Sequence, residues 1–98
     1  MIHHISFPAN DPRHVADVLA ELMDVRNYPF PGVPGSFIAA SGDPHGTAIE
    51  VHVADMLLEP SGPRCQPNQP APHRGAFHMF LSVPLSREQV EAIGRREG

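Results

Sequence analysis

Three predicted strands each carry one side chain that could bind a metal ion. His4, Glu50 and His78 all lie on the more polar face of a stretch in which side chains alternate between two faces. Two neutral imidazoles and a carboxylate form a mixed nitrogen and oxygen ligand set, which suits zinc, nickel, iron(II) or manganese and leaves positions open for a substrate. Because the three residues lie far apart in the sequence, alternation alone favours three separate, half-exposed polar residues.

The first strand is predicted over residues 2–7, where His4 and Ser6 share the polar face. His3 falls on the opposite face with the apolar residues, and we expect it to pack there or to lie at the strand edge. A shift of the register by one residue would exchange His3 and His4. We prefer His4 as the candidate ligand.

Two more predicted strands carry the other candidates. Residues 47–53 alternate after a dense turn signal and place Glu50 on the polar face. Residues 76–83 alternate in the same way and place His78 on the less apolar face. The polar faces of the three strands also offer candidate substrate contacts, namely Ser6, His52 and Ser82, with Phe80 as an apolar wall.

Two helices are predicted, each directly after a candidate strand. Asp11 as N-cap and Pro12 at the first helical position begin a helix with one apolar stripe over residues 15–23. Ser86 and Gln89 form a capping box before a second helix, which is predicted to end near residue 96. The order of strand and helix therefore occurs twice, which is a candidate internal repeat.

The remaining segments complete the predicted organisation. Residues 36–41 are a short apolar run, which we expect to form a hairpin with residues 47–53. An edge strand is possible over residues 25–28. Residues 55–75 are rich in proline and show little periodicity, so they are predicted to be a long connection between two halves of one domain.

Length and charge limit the function classes. The 98 residues fit one domain, and the formal net charge of -4 without a basic stripe argues against nucleic acid or an anionic membrane surface as partner. We therefore expect a small-molecule substrate or another protein chain. A single cysteine rules out an internal disulfide framework, and no apolar run is long enough to span a membrane. These features predict a soluble, cytoplasmic protein.

The segments HHISFPANDPRHVADVLAEL, GDPHGTAIEVHV and AFHMFLSV resemble the vicinal oxygen chelate superfamily, which includes glyoxalase I, bleomycin resistance proteins and extradiol dioxygenases. Members of that superfamily are built from paired βαβββ modules whose sheets curve around a metal site. The resemblance implies an α+β fold and a single glyoxalase-like domain over residues 1–98. Residues 1–54 would form a first βαβββ module, residues 55–75 the connection, and residues 76–98 the strand and helix that start a second, incomplete module.

The resemblance also implies a role for the three candidates. His4, Glu50 and His78 would bind one divalent metal ion (zinc, nickel, iron or manganese), and Glu50 would be the catalytic residue. The implied enzyme is a lyase or isomerase like glyoxalase I, in which the metal stabilises an oxyanion or enolate of a small substrate. In the superfamily a fourth ligand lies on the last strand of the second module. We expect it to come from chain beyond Gly98 or from another subunit, unless the protein works without it.

Two alternatives stay open at this stage. The first is a metal-free small-molecule-binding protein of the bleomycin-resistance type, although such members generally lack the metal-binding side chains. The second is an extradiol-type dioxygenase, although such enzymes typically take their carboxylate from a later strand than the one that carries Glu50. A homodimer is a separate expectation, because an incomplete second module leaves sheet edges unpaired and exposed edges are usually covered.

Overall fold

The computed structural model describes residues 2–65 and 77–98, which form six strands and two helices. The four strands of the main sheet and the first helix are a small α+β unit, and a two-stranded hairpin and a second helix follow it. In chain order the elements are β1 (His4–Ala9), α1 (Pro12–Met23), β2 (Arg26–Pro29), β3 (Phe37–Ala40), β4 (Ala48–Val53), β5 (Met56–Glu59), β6 (Gly62–Cys65) and α2 (Arg87–Glu97).

The main sheet is mixed, with the strand order β1-β4-β3-β2. Strands β1 and β4 run parallel, and their register sets Ser6 opposite Glu50. Strand β3 pairs antiparallel with β4 on one side and with β2 on the other. The first and the last strand of this unit are therefore direct neighbours, although α1, β2 and β3 lie between them in the chain.

Helix α1 covers one face of the main sheet. Its N-cap is Asp11, whose carboxylate accepts the backbone N–H of His14 at 3.0 Å, and Pro12 occupies the first turn as predicted. The apolar stripe of the helix packs on alternate residues of β3 and β4, which leaves the intervening residues on the opposite face. The buried core consists of Ala16, Leu19, Ala20, Ala39, Ile49 and Val51.

The predicted hairpin of residues 36–41 with residues 47–53 is confirmed by the antiparallel pair β3 and β4, and the possible edge strand is present as β2. The long connection predicted over residues 55–75 contains regular structure in its described part, because β5 and β6 form a hairpin there. Each of these strands has only four residues, too few for a visible alternation, and Gly62 with φ +123° allows the turn between them. The rest of that connection, residues 66–75, lies outside the described residues.

The prediction of a strand over residues 76–83 is also wrong as far as the structure describes it, since residues 77–83 form no strand. This segment pairs with no other strand among the described residues and is instead attached through its side chains. Phe77 stacks on Phe7 with ring centroids 5.3 Å apart, and Met79 packs against the core. Alternation showed that the segment could form a strand, but a strand also needs a neighbour that pairs with it.

The second predicted helix is confirmed as α2, and Ser86 and Gln89 form the predicted capping box. Helix α2 lies against α1, where the guanidinium of Arg96 donates to both carboxylate oxygens of Glu21. Neither α1 nor α2, the helices of the described ranges, is long and apolar enough to cross a membrane.

Candidate functional site

Strands β1 and β4 bring four polar residues together on the sheet face opposite α1. Because the two strands are parallel and in register, Ser6 of β1 lies beside Glu50 of β4, and His4 and His52 lie one step away along the same face. The residues between them, such as Ile5 and Ile49, point to the helix side and belong to the core. One face of the sheet therefore holds the fold together, while the other collects groups that can do chemistry.

Glu50 is the centre of this group, and its two oxygens have different neighbours. The Ser6 hydroxyl donates a hydrogen bond of 2.7 Å to Oε2. Nε2 of His52 lies 3.4 Å from the same oxygen, and Nε2 of His4 lies 4.0 Å from Oε1. The Glu50 side chain is 15% exposed, so the carboxylate is partly shielded but can still be reached from solvent.

His52 is buried, with only 5% of the residue exposed. Its Nδ1 lies 3.0 Å from the hydroxyl oxygen of Ser36, which is 2% exposed, and the ring of Phe30 meets the imidazole edge-on at 5.3 Å between centroids. The sequence predicted His52 as a substrate contact but did not single out Ser36 or Phe30. Ser36 fell at the start of the predicted run 36–41, but in the structure both residues lie outside the strands, where no periodicity indicates the direction of a side chain.

The loop between β2 and β3 holds Ser36 in place. The backbone N–H of Phe30 donates to the carbonyl of Ser36 at 2.8 Å, and the N–H of Ser36 donates to the carbonyl of Val33 at 3.1 Å. Gly35 has φ +81°, and a Cβ at this position would come within 2.9 Å of a methyl carbon of Val53. A glycine is therefore required immediately before the residue that contacts His52.

The structure distinguishes between the two histidines at the start of β1. His4 is the one that lies beside Glu50, and its side chain is 58% exposed. The ring of His3 lies instead near the ring of His45, with centroids 5.9 Å apart. The exposure of His4 leaves its imidazole free to change rotamer or to bind a ligand.

His78 does not join His4 and Glu50 in a set of three. It is exposed in the segment 77–83 and lines, together with His4, a cleft of about 390 Å³ that Glu50 does not reach. We call this the apolar cleft, because its other walls include Ile5, Met23, Ile49, Phe77, Met79 and Phe80. Over residues 2–65 and 77–98, no three His, Cys, Asp or Glu side chains are arranged to hold a metal ion.

The other predicted contacts fall in different places. Phe80 lines the apolar cleft and is fully exposed, and Ser82 is exposed in the same segment. Ser6 and His52 line a second, smaller cleft of about 130 Å³ between β1 and the start of β5, which Met56 and Leu57 close from the other side. We call this the small cleft.

No arginine among the described residues lines either cleft, and the sequence contains no lysine. Within the described residues, the carboxylate of Glu50 is therefore surrounded by hydroxyl and imidazole groups and not by permanent cations. A site of this kind does not by itself attract an anionic ligand, but it suits a bound cation.

The chain matches no known family model, no curated protein and no solved structure. The class of protein is therefore described by its fold and its site. The fold is a small α+β domain in which a helix covers one face of a mixed four-stranded sheet. The opposite face of that sheet carries a carboxylate between two histidines.

Proposed function

We propose that the protein is a metal-dependent enzyme of the vicinal oxygen chelate type, with His4 and Glu50 as ligands of a divalent metal ion. The observation that carries the proposal is the approach of His4 Nε2 to Glu50 Oε1, 4.0 Å, from neighbouring parallel strands. The element order β1, α1, β2, β3, β4 supports it, because it is the order of strands and helix in one βαβββ module.

The donor pair fits a metal ion of the first transition row. A tetrahedral zinc ion with bonds of about 2.1 Å to nitrogen and oxygen would set the two ligand atoms about 3.4 Å apart. The atoms of His4 and Glu50 are 4.0 Å apart, which is close to that separation, and the His4 side chain is 58% exposed. An imidazole and a carboxylate suit zinc, nickel, iron(II) and manganese alike.

His78 is the proposed third ligand. It lines the same cleft as His4 and belongs to a segment without a strand, so its approach to the pair would leave the sheet unchanged. Ser6, His52, Phe80 and Ser82 remain the proposed substrate contacts, of which Ser6 and His52 line the small cleft.

The proposed chemistry is that of a lyase or isomerase like glyoxalase I. When bound, the metal ion would polarise oxygens of a small substrate and stabilise the negative charge that develops on them. Glu50 is the proposed catalytic residue as the anionic ligand of that ion, because Ser6 engages Oε2 and leaves Oε1 turned toward His4 and the proposed metal. The apolar cleft beside His4 would exclude water from the rest of the substrate.

The test is calorimetric titration of the metal-free protein with zinc, nickel, manganese and iron(II). We expect about one equivalent to bind the wild type, and we expect Glu50→Gln and His4→Ala each to lose most of the affinity. His78→Ala tests the third ligand separately. His45→Ala is the matched control, because His45 is an exposed histidine in a turn and should leave binding unchanged. A wild type that binds no metal specifically would overturn the proposal.

A metal-free binding protein of the bleomycin-resistance type is the second candidate. The size and apolar walls of the 390 Å³ cleft favour it, since small-molecule sites are usually concave and mostly apolar. Binding of apolar fluorescent probes that is unchanged by metal and by Glu50→Gln, but lost in Met79→Asp, would favour this candidate over the enzyme.

We also propose a homodimer. Strands β1 and β2 are the two edges of the main sheet, and each has one side without a partner strand in the described residues. A second copy of the chain is the partner expected to cover one of these edges.

A further inference from the structure

We infer that His52 is a positioning residue that fixes the carboxylate of Glu50, and that Ser36 holds the His52 ring in the one tautomer that allows this. The inference deepens the proposed function, since it assigns the groups that would orient the proposed metal ligand. Only the predicted change in metal affinity depends on that function. The tautomer of His52 and the orientation of the Glu50 carboxylate can both be measured without a metal.

The first step is the arrangement of polar groups around the His52 ring. The residue is buried, yet both ring nitrogens face polar atoms: Nδ1 faces the Ser36 hydroxyl at 3.0 Å and Nε2 faces Oε2 of Glu50 at 3.4 Å. A neutral imidazole has one N–H donor and one acceptor nitrogen, whereas an ionised carboxylate can only accept. The proton of a neutral His52 must therefore lie on Nε2, where it faces Glu50.

The second step concerns Ser36. With the proton on Nε2, Nδ1 is an acceptor, and the Ser36 hydroxyl can donate to it. The opposite tautomer would turn the lone pair of Nε2 toward the carboxylate oxygen, which is repulsive. The order of donation is therefore Ser36 hydroxyl to His52 Nδ1, and His52 Nε2–H toward Glu50.

The third step is rigidity. Ser36 is 2% exposed as a residue, its backbone is hydrogen-bonded to Phe30 and Val33, and the Phe30 ring stands at 87° to the imidazole. A ring enclosed in this way cannot flip without breaking its contact with Ser36. The contact of 3.4 Å with Glu50 is long for a hydrogen bond, so His52 acts as a fixed dipole beside Oε2 while Ser6 makes the short bond.

The consequence is a division between the two carboxylate oxygens. Oε2 faces the Ser6 hydroxyl of β1 at 2.7 Å and the His52 ring of β4 at 3.4 Å, and both contacts favour this orientation of the carboxylate. Oε1 is then the oxygen presented to His4. Groups behind a metal ligand commonly set its orientation, and their loss lowers metal affinity by about 10-fold to 100-fold.

The experiment combines nitrogen-15 NMR of the histidine rings with the carboxyl carbon-13 shift of Glu50. We expect wild-type His52 to be protonated at Nε2, and we expect Ser36→Ala to change the Nδ1 shift and to move the Glu50 carboxyl shift. His52→Leu should also move the Glu50 shift, whereas His52→Gln keeps a side-chain N–H near the position of Nε2 and should restore most of it. A wild-type ring protonated at Nδ1, or a Glu50 shift unchanged by Ser36→Ala and His52→Leu, would overturn the inference.

Metal affinity separates this inference from the proposed function. We expect Ser36→Ala and His52→Leu to bind zinc about 10-fold more weakly than wild type, with His52→Gln closer to wild type. If wild type binds zinc and all three variants bind it equally well, the inference fails and the proposed function stands. If wild type binds no metal, the proposed function fails, and the two NMR shifts still decide the inference.

Discussion

The hydroxyl of Ser6 donates a 2.7 Å hydrogen bond to Oε2 of Glu50 across the only parallel strand pair in the described part of the chain. This bond joins the first and last strands of the main sheet through their side chains as well as through their backbones. It also leaves the second oxygen of Glu50 free on the side of His4. The same contact therefore contributes to the fold and prepares the candidate site.

Replacement of Ser6 by alanine should affect both roles. We expect Ser6→Ala to lower the free energy of unfolding by about 1 kcal/mol, because Glu50 is partly buried and loses its short donor. Metal affinity should fall with it, since Oε2 is no longer held. Chemical denaturation and zinc titration measure the two effects. Ser82→Ala removes an exposed hydroxyl and should change stability by less than about 0.5 kcal/mol. Equal behaviour of the two variants would contradict this prediction.

Divalent metal should stabilise the folded protein. A ligand present at about 100 times its dissociation constant adds roughly 2.7 kcal/mol to the free energy of unfolding when it binds only the folded state. We expect the wild type to show a clear rise in Tm with nickel or zinc, and we expect Glu50→Gln to lose it. The same rise in both proteins would show that the metal binds elsewhere.

The glycine before Ser36 should be more sensitive than another glycine in the same loop. Gly32 and Gly35 both have a positive φ, but a Cβ at Gly32 would meet nothing within 4 Å, whereas a Cβ at Gly35 would meet Val53 at 2.9 Å. We expect Gly32→Ala to cost about 1 kcal/mol for its backbone conformation and Gly35→Ala to cost about 2 kcal/mol or more. Only Gly35→Ala should also move the ring shifts of His52. Denaturation curves and histidine NMR spectra test both points, and equal costs would contradict the predicted clash.

Acid should loosen the contact between the two helices. The Arg96 guanidinium holds the pKa of Glu21 below its ordinary value near 4.5, and hydrogen bonds from Arg96 and then His14 lower the pKa of Glu97. A carboxyl whose pKa is lower in the folded than in the unfolded state stabilises the fold above its unfolded pKa. That contribution is lost as the pH falls through the folded value. The attachment of α2 should therefore be complete above about pH 4.5 and weaken below it.

The methyl resonances of Ile93, the buried residue of α2, report this attachment directly. Glu21→Gln is the control, because it removes one of the two titrating carboxyls and should make the Ile93 shift less dependent on pH. The same acid transition at Ile93 in both proteins would mean that Glu21 and Arg96 do not hold the helices together.

The proposed dimer predicts a concentration-dependent mass. Light scattering should show about twice the mass of one chain at high concentration. Pro8→Lys tests the edge of β1, because Pro8 is an exposed residue of that strand and lies outside the core. Ile5→Arg would not be a clean test, because Ile5 packs against the core. We expect Pro8→Lys to weaken a dimer formed through β1. A constant monomer mass for the wild type at all concentrations would contradict the proposal.

Much of the fold follows from short patterns in the sequence. Asp11 and Pro12 mark the start of α1, and the alternation around Glu50 and around His4 marks β4 and β1. These predictions hold because cap, period and partner strand agree at each of these places. In residues 77–83 alternation is present but no strand forms, since pairing depends on a neighbour that alternation does not reveal.

The candidate site was predictable only in part. The period of two places Ser6, Glu50 and His52 on polar faces, and the pairing of β1 with β4 then brings them together. The contact between His52 and Ser36 was not predictable, because Ser36 lies in a loop whose path depends on hydrogen bonds between its own backbone groups. His78 stays a predicted ligand. The alternation predicted a strand around it, but residues 77–83 form no strand.

The parallel pairing of β1 with β4 also bears on how the protein folds. Ser6 and Glu50 are separated by 44 positions, so their contact requires closure of a long loop that contains α1, β2 and β3. Contacts of such separation form slowly compared with helices and local hairpins. Appearance of the Ser6 to Glu50 bond should therefore be a late kinetic event, and a chain interrupted between α1 and β4 would leave the carboxylate without its hydroxyl donor.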